Sequence, residues 1–206
     1  DFLLGRMAAG DARPNLMVRY TLDRMADGGI HDQLGGGFHR YATDAIWLVP
    51  HFEQMLYDNA QLARTYLRAW AVLDEPRYLA VARSVLEYLL RELRRGDGTF
   101  AASQDADTDG VEGATFTWTT DELSGLDVET FPFEGRKILV GSVPPEVRAR
   151  LLEVRSRRIR PGTDDKRLTS WNALMLAALA DAGAVLERED YVEAAVACAG
   201  FLLGTM

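Results

Sequence analysis

All three histidines of the chain, His31, His39 and His51, fall in one stretch, GGIHDQLGGGFHRYATDAIWLVPHFE, residues 28–53. A histidine beside a carboxylate can take up and return a proton near neutral pH. Glu53 stands two positions after His51, and Asp58 seven positions after it, a spacing that puts Asp58 on the same face if both belong to one helix. Arg40, Tyr41 and Trp47 add a cation and two flat aromatic faces. The histidine spacing matches no zinc pattern. Gly35-Gly36-Gly37 is neither a dinucleotide fingerprint nor a phosphate loop, so no cofactor and no metal is expected from this stretch.

A second group of carboxylates lies in SQDADTDGVEGATFTW, residues 103–118. Asp105, Asp107, Asp109 and Gly110 spell D-x-D-x-D-G, the opening of an EF-hand calcium loop. Such a loop ends on a bidentate acid, but Phe116 stands there, and Glu112 replaces the usual aliphatic residue. The stretch therefore reads as an acidic turn between two short strands, GTFAAS and ATFTW, with Trp118 at its end. A looser divalent-metal site on the three aspartates is a separate reading. A third group, PGTDDKRLTSWN, sets Asp165 and Lys166 ahead of Trp171 and Asn172 at a helix start.

Acids and amides hold hydroxyls, and aromatic rings stack on the C–H faces of sugars, so these groups together suit a polyhydroxylated ligand. Glu53 with Asp105 or Asp107 could serve as general acid and base in glycoside chemistry. His39 and His51 could instead remove and return a proton beside a carbonyl, as in epimerisation or isomerisation. Arg40, Tyr41, Trp47, Asp58, Trp118, Asp165, Lys166, Trp171 and Asn172 would then bind the ligand.

The elements that must position these residues read as helices. Apolar residues recur at helical spacing over 12–27, 52–73, 76–95, 145–158, 169–186 and 190–203, with a fragment over 2–9 and a capped start at Thr119. Connections alternate: two or three residues after 52–73 and 169–186, long segments after 12–27, 76–95 and 145–158. Antiparallel hairpins stacked side by side would gather the long loops at one mouth. The expectation is an all-α stack of helix hairpins with short β segments in its long loops.

The chain has 206 residues, 48% of them hydrophobic, enough for one domain over 1–206. A net charge of −8 argues against nucleic acid as a partner. No apolar run approaches a membrane span. The lone cysteine, Cys198, cannot form an internal disulfide, which fits a reducing, cytoplasmic setting.

The first stretch extended to QMLYDNAQLARTY, together with SQDADTDGVEGATFTW and DDKRLTSWNALMLAALA, resembles the helical region of the YyaL / spermatogenesis-associated protein 20 family, whose members are catalogued as thioredoxin domain-containing proteins. The resemblance runs from about residue 12 to 203 and is weakest over 125–145. It implies an α/α-toroid of the six-hairpin glycosidase type, related to N-acylglucosamine 2-epimerase. With too few helices for a whole toroid, and no C-x-x-C of a thioredoxin-like domain, the chain is expected to be a fragment or shortened form, completed by a second copy or a missing segment. The implied function is a sugar-binding or carbohydrate-active domain. The rival readings are a non-catalytic binding or scaffolding module of a thioredoxin-domain protein, and a divalent-metal enzyme built on 105–109.

Overall fold

The computed structural model describes residues 1–205. The seven α-helices among them are α1 (Phe2–Ala8), α2 (Asn15–Asp27), α3 (Leu56–Leu73), α4 (Pro76–Tyr88), α5 (Pro145–Ser156), α6 (Thr169–Leu186) and α7 (Glu189–Thr205). Nine short strands interrupt the long connections: β1 (Tyr41–Ala42), β2 (Pro50–His51), β3 (Gln54–Met55), β4 (Ser103–Gln104), β5 (Asp107–Thr108), β6 (Val111–Glu112), β7 (Glu129–Phe133), β8 (Arg136–Val140) and β9 (Thr163–Asp164). The chain divides into two compact units.

The first unit comprises residues 1–19, 55–103 and 163–206 and is built on two helix hairpins, α3–α4 and α6–α7. In α3, Leu56, Asn59, Ala60, Ala63, Tyr66 and Leu67 are buried, the repeat of one helical face. Against them pack Tyr78, Val81, Ala82 and Val85 of α4, with the Tyr66 and Tyr78 rings 6.0 Å apart. In the other hairpin Met175, Ala178, Leu179 and Ala182 of α6 and Tyr191, Ala194, Ala195 and Cys198 of α7 are buried. Both hairpins turn the same way. The residue after each first helix, Asp74 or Glu187, takes the left-handed conformation (φ 51° and 52°), and its N–H caps a carbonyl of the last turn. The α4 helix does not run to residue 95 as its periodicity suggests; it ends in a π-helical turn, Leu89–Leu93.

α6 is the one helix among the described residues whose length and mean hydropathy of 1.2 reach those of a membrane span. Half a dozen of its residues, Asn172, Met175, Ala178, Leu179, Ala182 and Gly183, are buried in the unit.

The second unit comprises residues 20–54 and 104–162. Its centre is loop-rich. Phe52, Ala106 and Ile138 form one apolar cluster, and Leu34, Trp118, Leu123, Leu139 and Leu151 another. Strands β7 and β8 pair antiparallel from Glu129↔Val140 to Phe133↔Arg136 around Glu134–Gly135, a turn with positive φ at both positions. That hairpin lies where the sequence suggests no element.

Two expected elements take other forms. ATFTW is not a strand: residues 113–116 turn, and only Trp118 makes a β-bridge, to Lys137. The capping pattern at Thr119 forms without a helix behind it. The Glu122 carboxylate accepts from the Thr119 N–H and hydroxyl at 2.8 and 3.0 Å, and residues 120–125 are turns.

Candidate functional site

In the second unit the chemistry-bearing residues gather in two places. The first is at the surface. β1 and β2 pair antiparallel with Tyr41 opposite His51, so the two rings stack, centroids 5.0 Å apart and planes at 22°. His51 Nδ1 lies 2.7 Å from the Glu112 carboxylate, and Nε2 lies 3.7 Å from Glu53. Arg40 pairs with the same Glu53 oxygen at 2.8 Å. One imidazole thus stands between two carboxylates, with its ring partly open to solvent.

Glu112 arrives there because the acidic stretch is a two-residue β-hairpin. β5 pairs with β6 so that Asp107 faces Glu112 and Thr108 faces Val111. The connecting Asp109 and Gly110 both have positive φ (53° and 76°), the backbone of a type I′ turn, for which Asp-Gly is a preferred pair. This overturns the reading of D-x-D-x-D-G as a loop around a divalent metal. Asp107 and Asp109 are exposed on the hairpin and Asp105 is exposed just before it, and among the described residues no group of three or more His, Cys, Asp or Glu side chains could hold a metal ion. Glu112 was not among the expected site residues. The Asp-Gly turn was the signal for it, since a two-residue hairpin fixes which side chains face each other.

The second place is interior. His39 is 3% exposed and lies edge-on to Phe52 and Phe116. Its Nδ1 is 2.9 Å from the Phe52 carbonyl. Burial pushes its pKa down to about 4, against the opposing pull of Asp32. Asp32 is itself buried, which alone would raise its pKa; the Arg155 guanidinium, 2.8 Å away, more than compensates and holds it well below the usual carboxylate range. Trp118, expected to offer a stacking face to a ligand, is wholly buried, with the Arg158 guanidinium 3.9 Å above its ring centroid. Burial lowers the Arg158 pKa despite its hydrogen bond to Glu122.

Other expectations are revised by backbone geometry. Asp58 does not share a helical face with His51, because α3 starts only at Leu56 and His51 lies in a strand. Trp47 is half-buried with a left-handed backbone (φ 59°), and its carbonyl accepts from the Ile30 N–H at 3.1 Å. The loop around it is shaped by Asp44, whose carboxylate accepts from the N–H groups of Ile46, Leu48 and Val49.

In the first unit, Asn172 is a structural residue. Its side chain is fully buried, accepts from the Phe100 N–H at 2.8 Å and donates to the Phe100 carbonyl at 3.1 Å, as a paired strand would. Lys166 pairs with Asp164 at 2.8 Å, and Asp165 lies 3.5 Å from Arg95, all at the surface. Trp171 packs on Tyr57, centroids 4.7 Å apart.

Relatives agree with this architecture. Spermatogenesis-associated protein 20 of Homo sapiens is 32% identical over 98% of this chain, and that of Rattus norvegicus likewise. The chain belongs to the spermatogenesis-associated protein 20 family. It spans about a third of the length of these relatives. An uncharacterized protein of Caenorhabditis elegans is 30% identical over 91% of the chain. No family model matches. Among solved structures, a family 76 glycoside hydrolase from a bovine Bacteroides thetaiotaomicron strain superposes with a TM-score of 0.63 at 13% identity, over 98% of this chain and 33% of that one. A second family 76 enzyme, a mannosidase of the same species, gives 0.53 at 14% identity. The fold of this family member is thus that of glycosidase-like α/α-toroids, with short strands in the long connections.

Proposed function

We propose that this chain is the sugar-binding part of an α/α-toroid, and that the His51 cluster is where acid–base chemistry on a polyhydroxylated ligand takes place. The observation that supports it is the imidazole held between Glu112 and Glu53 at an open surface. Glu112 as acceptor puts the neutral ring's proton on Nδ1 and leaves the lone pair on Nε2, the arrangement of a histidine base with its orienting carboxylate. Nε2, the nitrogen left free to take a proton, lies 3.7 Å from the Glu53 carboxylate. Arg40 offsets part of that negative charge and holds the Glu53 carboxylate in place. A base of this kind suits proton removal beside a sugar carbonyl; a hydrolytic route would use Glu53 and Glu112 as its two carboxylates. The buried, unpaired Cys198 suits a reducing, cytoplasmic setting.

A non-catalytic role is favoured by one observation: Asn172, Lys166 and Asp165 of the first unit are already engaged within the protein. Ligand-observed NMR with mono- and disaccharides, mannose and mannobiose included, separates the two. Binding by the parent that is lost in a folded His51→Ala variant and weakened in Glu112→Gln supports the catalytic site. No binding by any saccharide, or equal binding by His51→Ala, sinks it.

A further inference from the structure

Glu112 reaches His51 from a hairpin that must be held against β2. The next residue, Gly113, has φ +68°, a backbone that favours glycine. Its contacts demand glycine as well. A Cβ at this position would lie 2.6 and 2.7 Å from two carbons of the Phe52 ring, closer than real side chains approach. The ring has no room to give way. Phe52 is 1% exposed and packs among Phe116, Phe133 and His39, with ring centroids 5.9, 5.3 and 5.1 Å away. Gly113 is pinned too. Its N–H donates to the Ala106 carbonyl at 3.0 Å, and its own carbonyl accepts from the N–H groups of Phe116 and Thr117 at 3.0 and 2.9 Å and from the Thr117 hydroxyl at 2.9 Å.

Gly113 follows Glu112 in the chain, and Phe52 follows His51. The contact of glycine with ring therefore sets how far apart the two preceding side chains stand. Glu112 Oε1 lies 2.7 Å from His51 Nδ1 and 3.4 Å from the Phe52 N–H. Both side chains of the ion pair are partly exposed, so their own attraction is too weak to hold two mobile groups in one geometry. A fixed backbone does it instead. Gly110, in the same hairpin, offers a contrast. Its φ is +76°, yet a Cβ there would meet nothing within 4 Å. Its conformation serves only the turn.

We propose that Gly113 is a positioning residue for His51: its bare Cα seats the hairpin on the Phe52 ring, which brings Glu112 to Nδ1 and fixes the imidazole proton there. Its part in catalysis rests on the reading of His51 as the base; its placing of Glu112 does not.

The test reads the His51 ring nitrogens by ¹⁵N NMR in the whole chain, without ligand. The parent and Gly110→Ala should each show one tautomer, with its proton on Nδ1. Gly113→Ala should show a mixture, as loss of Glu112 itself would, its two ring ¹⁵N signals moving towards each other. Gly110→Ala carries the same backbone strain without the contact, so it separates the two causes. A folded Gly113→Ala that keeps the single tautomer overturns the proposal, as does equal mixing in both variants or a mixture already in the parent. If Gly113→Ala does not fold, Phe52→Leu removes the ring from the other side of the contact and should give the mixture; an unchanged tautomer there overturns the proposal too. Mannose and mannobiose are then added to the same samples. Binding lost in Gly113→Ala and kept in Gly110→Ala ties the seat to the proposed function. A parent that binds neither, with the tautomer still mixed by Gly113→Ala, would reject that function and leave the placing of Glu112 standing.

Discussion

His51 Nδ1 and a Glu112 carboxylate oxygen lie 2.7 Å apart although 61 positions separate them in the chain. The contact ties the tip-bearing hairpin β5–β6 to strand β2. Both partners are partly exposed, at 28% and 42% of their side chains, so the pair adds little to stability. Its effect is on the proton's position. Glu112→Ala should change stability by less than about 1 kcal/mol yet turn a single Nδ1–H tautomer of His51 into a mixture, read from its ¹⁵N shifts. An unchanged tautomer in that variant would mean Glu112 does not orient the ring.

Stability should fall as pH drops from 6.5 towards 4. His39 has an ordinary value of 6.5 and a folded value lowered to about 4. Between those values the unfolded chain binds the extra proton and the folded chain does not, so acid favours unfolding. The contribution is fully present above 6.5 and amounts to roughly 3 kcal/mol at most. Urea unfolding across this range should lose its slope in His39→Asn. Groups bearing on His39 are Asp32, Arg155 and His31, and the first of these titrates lower still.

Asp32→Asn should destabilise the second unit by about 3–5 kcal/mol, because it strands the Arg155 charge in a site where both side chains are nearly buried. Replacing both together, Asp32→Leu with Arg155→Met, should recover much of that loss. Equal instability of the single and double variants, by thermal unfolding, would show that the charge is not the cause.

Asn172→Ala removes the partners of both the Phe100 N–H and its carbonyl. With each buried backbone group left unsatisfied costing about 1–3 kcal/mol, the variant should lose at least about 2 kcal/mol. Hydrogen exchange at the Phe100 amide should accelerate well beyond the global change. A loss below the uncertainty of the unfolding fit would mean water replaces the amide.

Calcium or a chelator should leave the thermal midpoint unmoved, since Asp105, Asp107 and Asp109 are exposed and no group of three or more acidic, His or Cys side chains among the described residues could hold a metal ion. A calcium-dependent rise in midpoint, growing with concentration as binding to the folded state requires, would restore the metal reading.

Helices were legible in the sequence because their signal is local. The α6 bounds, Thr169–Leu186, coincide with the expected range, and the α3–α4 and α6–α7 turns fall where the periodicity breaks. The residues of the surface cluster, His51, Glu53, Arg40 and Tyr41, could also be named from one stretch. What the sequence left open was decided by pairing and burial, which depend on distant residues. Asp-Gly at 109–110 makes a hairpin, and only its register brings Glu112 to His51. Trp118 reads as a ring beside a loop, but Arg158 and a leucine cluster close over it and bury it wholly. Asn172 looks like a helix-start amide open to a ligand, yet the Phe100 backbone takes both ends of it. A local pattern sets the periodicity of an element; which of its polar atoms remain unpaired is set by what the rest of the fold packs against them.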